Sequence, residues 1–237
     1  TTGGVLDNYQ PGSVTDITEH KGRIFVATPT EFVRYSKPLR QGEVTGYPIP
    51  QFVIDIPGDS ASINGISSGV NFLTVFTRKG VFVVQGEGPN AVGQGFFNLP
   101  NAIAENQGAL PGSPHLDHSF GVFYVSDRGL YLVTPQAQVQ YVGAPVEDLV
   151  NTENIKDITL FDYNNEIRFA GASASNTKVV LIYNTFFKQW TNWGIYDGVT
   201  SSIAAQTQYF DESGDASKSH IIMLSSGNIL RQSSTSY

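Results

Sequence analysis

The stretch FLTVFTRKGVFVVQG, residues 72–86, holds two apolar runs that flank the four residues 77–80, TRKG. Its two halves and polar centre are typical of a β-hairpin. A hairpin on the surface of a sheet alternates apolar and polar residues because one of its faces meets water. Both halves here are apolar at nearly every position, which predicts strands that are covered on both faces.

Composition narrows the class of protein before any motif is considered. The chain has 237 residues and no cysteine, so it forms no disulfide, and its length suits one large all-β domain or two small ones. Charged residues make up 15% and aromatic residues 12%, a profile typical of β-rich proteins with many turns. The net charge of −7 argues against a general nucleic-acid-binding surface. No apolar run is long enough to span a membrane.

Hairpins like the first one recur along the chain. Their first strands begin near residues 24, 72, 122, 167 and 221, at gaps of 48, 50, 45 and 54 residues. A less apolar segment precedes each hairpin: VTDIT (14–18), SINGI (62–66), PHLDH (114–118), DITLF (157–161) and SSIAA (201–205). Another segment follows most of them: FVIDI (52–56), GFFNL (95–99), VQYVG (139–143) and KQWTNW (188–193).

Four strands per unit at a period of about 49 residues are the signature of β-propeller blades. We therefore predict an all-β fold, a single β-propeller domain over residues 1–237 with about five four-stranded blades. The blades are expected near residues 12–57, 60–100, 108–144, 155–195 and 199–237. One short helix of about one turn is expected at residues 146–150. A β-sandwich is the rival fold, but it does not need so regular a period.

The last unit lacks a good outer strand, because only a short polar tail follows its hairpin. Either residues 5–9 (VLDNY) supply that strand and close the ring, which is the first expectation, or the chain is an excerpt of a longer propeller protein. Gly80 and Gly129 occupy matching turn positions of two hairpins, where a positive φ is often needed. Both glycines are predicted to form turns.

Motifs for catalysis and metal binding are weak. The chain has neither a P-loop nor a G-x-S-x-G sequence. His115 and His118 are three residues apart, a spacing that points them to opposite faces of a strand. Residues 211–220 (DESGDASKSH) have oxygen ligands at alternate positions but lack the glycine and glutamate of a calcium loop. We predict no catalytic residue, no metal and no cofactor.

A basic segment is the first candidate for contact with a subunit or partner. Residues 21–40 hold five of the fourteen basic residues and one acid, a local charge of +4. Its candidate contact residues are Arg34, Lys37 and Arg40, which are expected to meet an acidic partner or a second copy. A solvated patch without a partner is the alternative.

An aromatic segment, KQWTNWGIY (188–196), is the second candidate and holds Trp190, Trp193 and Tyr196. In a strand, Trp190 and Trp193 face opposite sides. If one side packs inward, the ring on the other side is exposed. An exposed tryptophan stacks on a sugar or anchors a subunit. The alternative is an outer strand that packs one ring inward and half covers the other.

Several of these segments resemble a known family, the tail nozzle or tail tubular protein B of short-tailed double-stranded DNA bacteriophages. The resemblance covers most of residues 14–231 and rests on pattern and spacing. The segments that carry it are KGRIFVATPTEFVRYSKPLRQGE (21–43), FLTVFTRKGVFVVQGEGP (72–89), VFYVSDRGLYLV (122–133), VGAPVEDLV (142–150) and IYNTFFKQWTNW (182–193).

The resemblance implies a β-propeller protein that assembles, typically as a homohexamer, at the end of a tail tube. It implies contacts with the adaptor and the fibres, and passage of DNA as cargo without specific binding. It also implies synthesis in the host cytoplasm and location in the virion. Nozzles of this family are usually much longer than 237 residues, so the chain departs from them in length.

The sequence therefore favours a structural virion protein that is not an enzyme. A receptor- or glycan-binding propeller module is the alternative, because exposed tryptophans suit sugars. A glycan hydrolase with paired carboxylates at the mouth of the propeller is the third candidate.

Overall fold

The computed structural model describes residues 11–30, 32–42, 45–48, 52–58, 62–90, 94–110, 115–153, 156–172, 178–195, 203–209 and 219–232. Residues 5–9, the predicted closing strand, lie outside this set. The chain divides into two compact units, an N-terminal unit (Thr1–Val142) and a C-terminal unit (Gly143–Tyr237). The expectation of one domain over the whole chain stays a prediction.

The N-terminal unit contains three antiparallel sheets in which each strand pairs with the next along the chain. Sheet 1 consists of Asp16–His20 (β1), Arg23–Ala27 (β2), Phe32–Tyr35 (β3) and Val53–Asp55 (β4). Sheet 2 consists of Ile63–Ser68 (β5), Leu73–Thr77 (β6), Gly80–Val84 (β7) and Asn101–Glu105 (β8). Sheet 3 consists of His115–His118 (β9), Gly121–Ser126 (β10), Gly129–Val133 (β11) and Val139–Tyr141 (β12).

The C-terminal unit begins with a 3-10 turn, Ala144–Val146, and a helix, Glu147–Glu153 (α1). Sheet 4 consists of Lys156–Tyr163 (β13), Glu166–Ala172 (β14), Lys178–Asn184 (β15) and Gln189–Ile195 (β16). Sheet 5 has three strands in the described part of the chain, Ile203–Tyr209 (β17), Ser219–Leu224 (β18) and Ile229–Arg231 (β19). The all-β prediction is confirmed, with five antiparallel sheets of three or four strands.

The predicted outer strand of the second repeat is wrong. Residues 95–99 were expected to form it, but β8 lies later, at Asn101–Glu105. Within 95–99 only Phe97 forms an isolated bridge, with Gly86. Gly86, Gly88 and Gly95 all have positive φ, so the chain turns repeatedly before it reaches sheet 2 again. The second repeat therefore extends past residue 100.

The helix is also longer than the one turn expected at residues 146–150, because α1 runs for seven residues.

Every residue of strands β6 and β7 is buried. Leu73 and Val84 pair on one face and belong to an apolar cluster shared with sheet 1. Phe76 and Val81 pair on the other face and belong to a cluster shared with sheet 3. Side chains still alternate between the two faces, but each face meets an apolar neighbour. The prediction that both faces are covered is confirmed.

Hydrogen bonds between neighbouring sheets join residues that are about one repeat apart. In the N-terminal unit β5 lies against both β1 and β9. The Ile66 N–H donates to Asp16 Oδ2 at 2.8 Å, across 50 residues. Ser67 donates to Asp117 Oδ1, again across 50 residues. In the C-terminal unit β17 lies against β13, and Gln206 Nε2 donates to Thr159 Oγ1 at 2.7 Å, across 47 residues.

Gly80 and Gly129 both begin a strand after a two-residue turn, but for different reasons. Gly129 has φ 122, so the positive φ expected there is confirmed. Gly80 is not among the glycines with positive φ, and the expectation is wrong for it. A Cβ on Gly80 would lie 2.7 Å from the Ala104 carbonyl oxygen in β8. Glycine is needed at Gly80 because the neighbouring backbone comes so close.

We expect Gly80→Val and Gly129→Val each to lower the free energy of unfolding by about 1–3 kcal/mol, the first through overpacking and the second through backbone strain. Gly46→Ala is the matched control, since its Cβ would meet only Lys37 Cδ at 3.8 Å. Urea unfolding measures all three variants. An unchanged midpoint for Gly80→Val would show that β8 moves away at little cost.

Candidate functional site

Strand β16 places the two tryptophans on opposite faces of sheet 4. Trp190 pairs with Tyr183 and Trp193 pairs with Val180 on β15, three residues further along. Trp190 is half-buried, and its ring lies 5.2 Å from the Tyr183 ring. Trp193 is 36% exposed. The predicted division between the faces is confirmed, while Tyr196 lies outside the described residues.

Trp193 packs against a buried arginine that sequence reasoning missed. Arg168 on β14 is 2% exposed, and its guanidinium carbon lies 4.1 Å from the Tyr163 ring centre and 4.6 Å from that of Trp193. It donates to Glu166 Oε2 from Nη2 at 2.9 Å and from Nε at 3.3 Å. Its Nη1 donates to Gln232 Oε1 at 2.8 Å. The ring of Trp193 is thus part of a cation–π contact.

A buried histidine lies in the same junction between sheets 4 and 5. His220 stacks on Phe161 with ring centres 5.3 Å apart, and its Nε2 lies 2.9 Å from Gln206 Oε1. The Gln206 amide nitrogen donates to Thr159 Oγ1, so its oxygen accepts and His220 Nε2 carries the proton. Burial, and then the charge of Arg168, lower the pKa of His220 to about 4. The imidazole is therefore neutral at pH 7 and joins the two sheets.

These groups form a structural junction and not a site of proton transfer. His220 is 2% exposed and Arg168 is equally buried, so a substrate in water reaches neither of them. General acid–base catalysis needs the group within hydrogen-bond reach of the substrate. A signal was present in the sequence, since Arg168 interrupts an otherwise apolar strand, IRFAG, at 167–171.

The pKa of His220 makes stability depend on pH. Its imidazole titrates at 6.5 in the unfolded chain and at about 4 in the folded one, so folding disfavours protonation. The stability that it contributes is complete above pH 6.5 and is lost as the pH falls toward 4, by on the order of 3 kcal/mol. We expect His220→Asn to be less stable at pH 7 but to depend less on pH between 7 and 4.5.

Urea unfolding of both proteins at the two pH values tests this expectation. Burial also lowers the pKa of His20 in the N-terminal unit, and carboxylates titrate in the same range. These groups are common to the wild type and to His220→Asn. The difference in the pH dependence of their unfolding free energies therefore isolates the contribution of His220. Equal pH dependence for the two proteins would contradict the assignment.

The basic segment does not form one charged surface. Arg23 is buried, donates to the carbonyls of Ser36 and Pro89, and lies near three aromatic rings. Lys21 pairs with Glu87 at 2.5 Å. Of the three candidate contact residues, Arg34 lies in β3 and is half-buried. Lys37 and Arg40 follow β3 and are exposed. Their role in a contact stays a prediction.

The two histidines of β9 have separate surroundings. His115 Nδ1 lies 3.6 Å from Asp16 Oδ2, and its ring stacks on Phe76. His118 Nδ1 accepts the N–H of Phe120 at 3.2 Å. Among the described residues no group of three His, Cys, Asp or Glu side chains is placed to hold a metal ion. Most of the calcium-like segment, residues 211–218, lies outside them.

Two exposed rings precede the aromatic segment. Phe186 and Phe187, in the turn between β15 and β16, are 78% and 67% exposed. Sequence reasoning missed them because apolar residues in a hairpin are usually covered.

No described helix is long and apolar enough to cross a membrane. Neither a protein-family model nor a curated protein sequence matches the chain.

Proposed function

We propose that the chain is a structural protein of a bacteriophage particle. Its five sheets are the blades of a β-propeller, and this propeller belongs to the tail nozzle at the end of the tube through which the genome leaves. The protein assembles as a homo-oligomer, a hexamer by resemblance to the family. It contacts the adaptor and the fibres, and it is located in the virion.

The observation that carries the proposal is the repeated contact between first strands of successive sheets. These strands are joined by hydrogen bonds across 47 to 50 residues, close to the period of the hairpins. A similar separation of 49 residues joins two exposed turns, through the Arg78–Asp127 ion pair at 2.8 Å. Propeller blades repeat in this way because each blade packs on equivalent elements of the next.

The segments that resemble the nozzle family lie in several of the sheets. Residues 72–89 include the β6–β7 hairpin, residues 122–133 include most of β10 and all of β11, and residues 182–193 include the β15–β16 turn. The first two segments cover the second and third strands of their sheets, whereas the third covers the turn between the third and fourth strands. The resemblance is not confined to one sheet, and this breadth supports the family assignment as a proposal.

The charge of the chain suits a conduit. A net charge of −7 repels DNA, so a passing genome is not held by the protein. Arg34, Lys37 and Arg40 then serve contacts with a neighbouring copy or another tail protein. Their local positive charge stands out from the acidic remainder of the chain.

The carboxylates on the first strands support a structural role over hydrolysis. Asp16 accepts a hydrogen bond from a backbone N–H of β5, and Asp117 accepts a hydrogen bond from the Ser67 hydroxyl. Both acids thus bind the neighbouring sheet. A second candidate is a glycan-binding module, which the exposed rings of Trp193, Phe186 and Phe187 favour.

The proposal is tested on purified particles of a phage whose genome encodes the chain. We expect mass spectrometry to find the chain in washed particles, and antibodies against it to label the tail tip in electron micrographs. The isolated chain is expected to show no strong binding on a glycan array. Absence from particles would overturn the proposal, and strong array binding together with that absence would establish the second candidate.

A further inference from the structure

The turn between β15 and β16 holds two aromatic rings in water. The Phe186 and Phe187 rings meet edge to face, with centres 5.0 Å apart and planes at 87°. Each ring remains mostly exposed. Two adjacent exposed phenylalanines keep a large apolar area in contact with water, which is unfavourable unless another surface covers it.

Hydrogen bonds hold this turn in one conformation. Asn184 Oδ1 accepts the N–H groups of Phe186 at 3.1 Å and Phe187 at 2.9 Å. The Lys188 N–H donates to the Asn184 carbonyl at 2.8 Å. Thr185 donates to the Asn165 carbonyl from its N–H at 2.9 Å and from its hydroxyl at 2.8 Å. A turn that is ordered before binding loses little backbone entropy when a partner covers it.

A groove beside strands β7 and β8 of sheet 2 has complementary properties. Its volume is about 380 Å³, and its lining is largely apolar, with one acid and one base. Three positions leave space because their side chains are absent or small, namely Gly80, Ala102 and Ala104. The Phe82 ring forms an apolar wall, and Glu105 is exposed at the rim.

We propose that Phe186 and Phe187 of one copy insert into this groove of a second copy. Aromatic side chains in apolar pockets supply much of the binding energy of protein interfaces. Lys188 follows the two rings and is exposed, so it is placed to pair with Glu105 at the rim. The apolar rings and Lys188 match the apolar lining and Glu105 of the groove, and both surfaces belong to this chain, so a second copy is the occupant that we propose.

The contact joins two different surfaces, so it is head-to-tail. Repetition of such a contact closes into a ring when the rotation between copies permits. The inference rests on the self-assembly in the proposed function and names the surfaces that mediate it. Two phenyl rings bury only part of a standard interface of about 800 Å² per partner, so other contacts complete it.

Cysteine cross-linking tests the pairing, and the chain has no native cysteine that would interfere. Lys188→Cys and Glu105→Cys are prepared as separate proteins and treated with a short bis-maleimide, alone and mixed. We expect cross-linked dimers in the mixture and few in either protein alone. Efficient cross-linking of Lys188→Cys alone would mean that two turns meet each other, which overturns the proposal.

Sedimentation velocity supplies the second test. Phe186→Ser with Phe187→Ser is expected to weaken self-association about tenfold or more, and Ala102→Asp in the groove to do the same. Val70→Ser is the matched control, because Val70 is 84% exposed but belongs neither to the β15–β16 turn nor to the lining of the groove. Far-UV circular dichroism and urea unfolding check that each variant is folded.

The outcomes separate this inference from the proposed function. If the wild type associates and is present in particles, but the double variant associates equally well, the contact lies elsewhere and only the inference fails. If the wild type stays monomeric at every concentration and no mixture cross-links, the contact and the self-assembly both fail. Equal weakening by Val70→Ser would also contradict a specific role for the two rings.

Discussion

The hairpin of β6 and β7 has no face that reaches water, and the arrangement of the N-terminal unit depends on this constraint. Its alternate side chains enter two separate apolar clusters, one with sheet 1 and one with sheet 3. Removing apolar area from water stabilises by roughly 25 cal/mol per Å². A hairpin with two apolar faces gains this contribution fully only between two other sheets, so sheet 2 requires both neighbours.

Polar side chains determine how neighbouring sheets align. The apolar clusters tolerate some sliding, whereas a hydrogen bond from a buried donor to Asp16 or Asp117 permits one register. Buried arginines act similarly in each unit. Arg23 and Arg168 stack near aromatic rings while their N–H groups find oxygen acceptors. Each would be costly to bury without these partners, so the partners must assemble together.

The surface that remains accounts for the proposed assembly. Most apolar side chains of the hairpins are covered, yet Phe186 and Phe187 are held outward by a turn whose backbone is ordered. Trp193 is 36% exposed, yet its ring contacts the Arg168 guanidinium, so an exposed aromatic ring in a sheet is not by itself a ligand platform. Trp193 differs from Phe186 and Phe187 because the chain itself supplies a group, Arg168, that contacts its ring.

The sequence alone determined the all-β class, the five hairpins and the covered faces of β6 and β7, because apolar pattern and turn residues are local properties. Only the tertiary structure decided that β8 starts at residue 101 and not at residue 95, since the turns at Gly86, Gly88 and Gly95 precede the segment that pairs with β7. It likewise decided that Arg23 is buried while Arg40 is exposed, and that Trp193 covers Arg168. Partners 25 or more residues apart leave no local periodicity, so their contacts appear only when the sheets have packed.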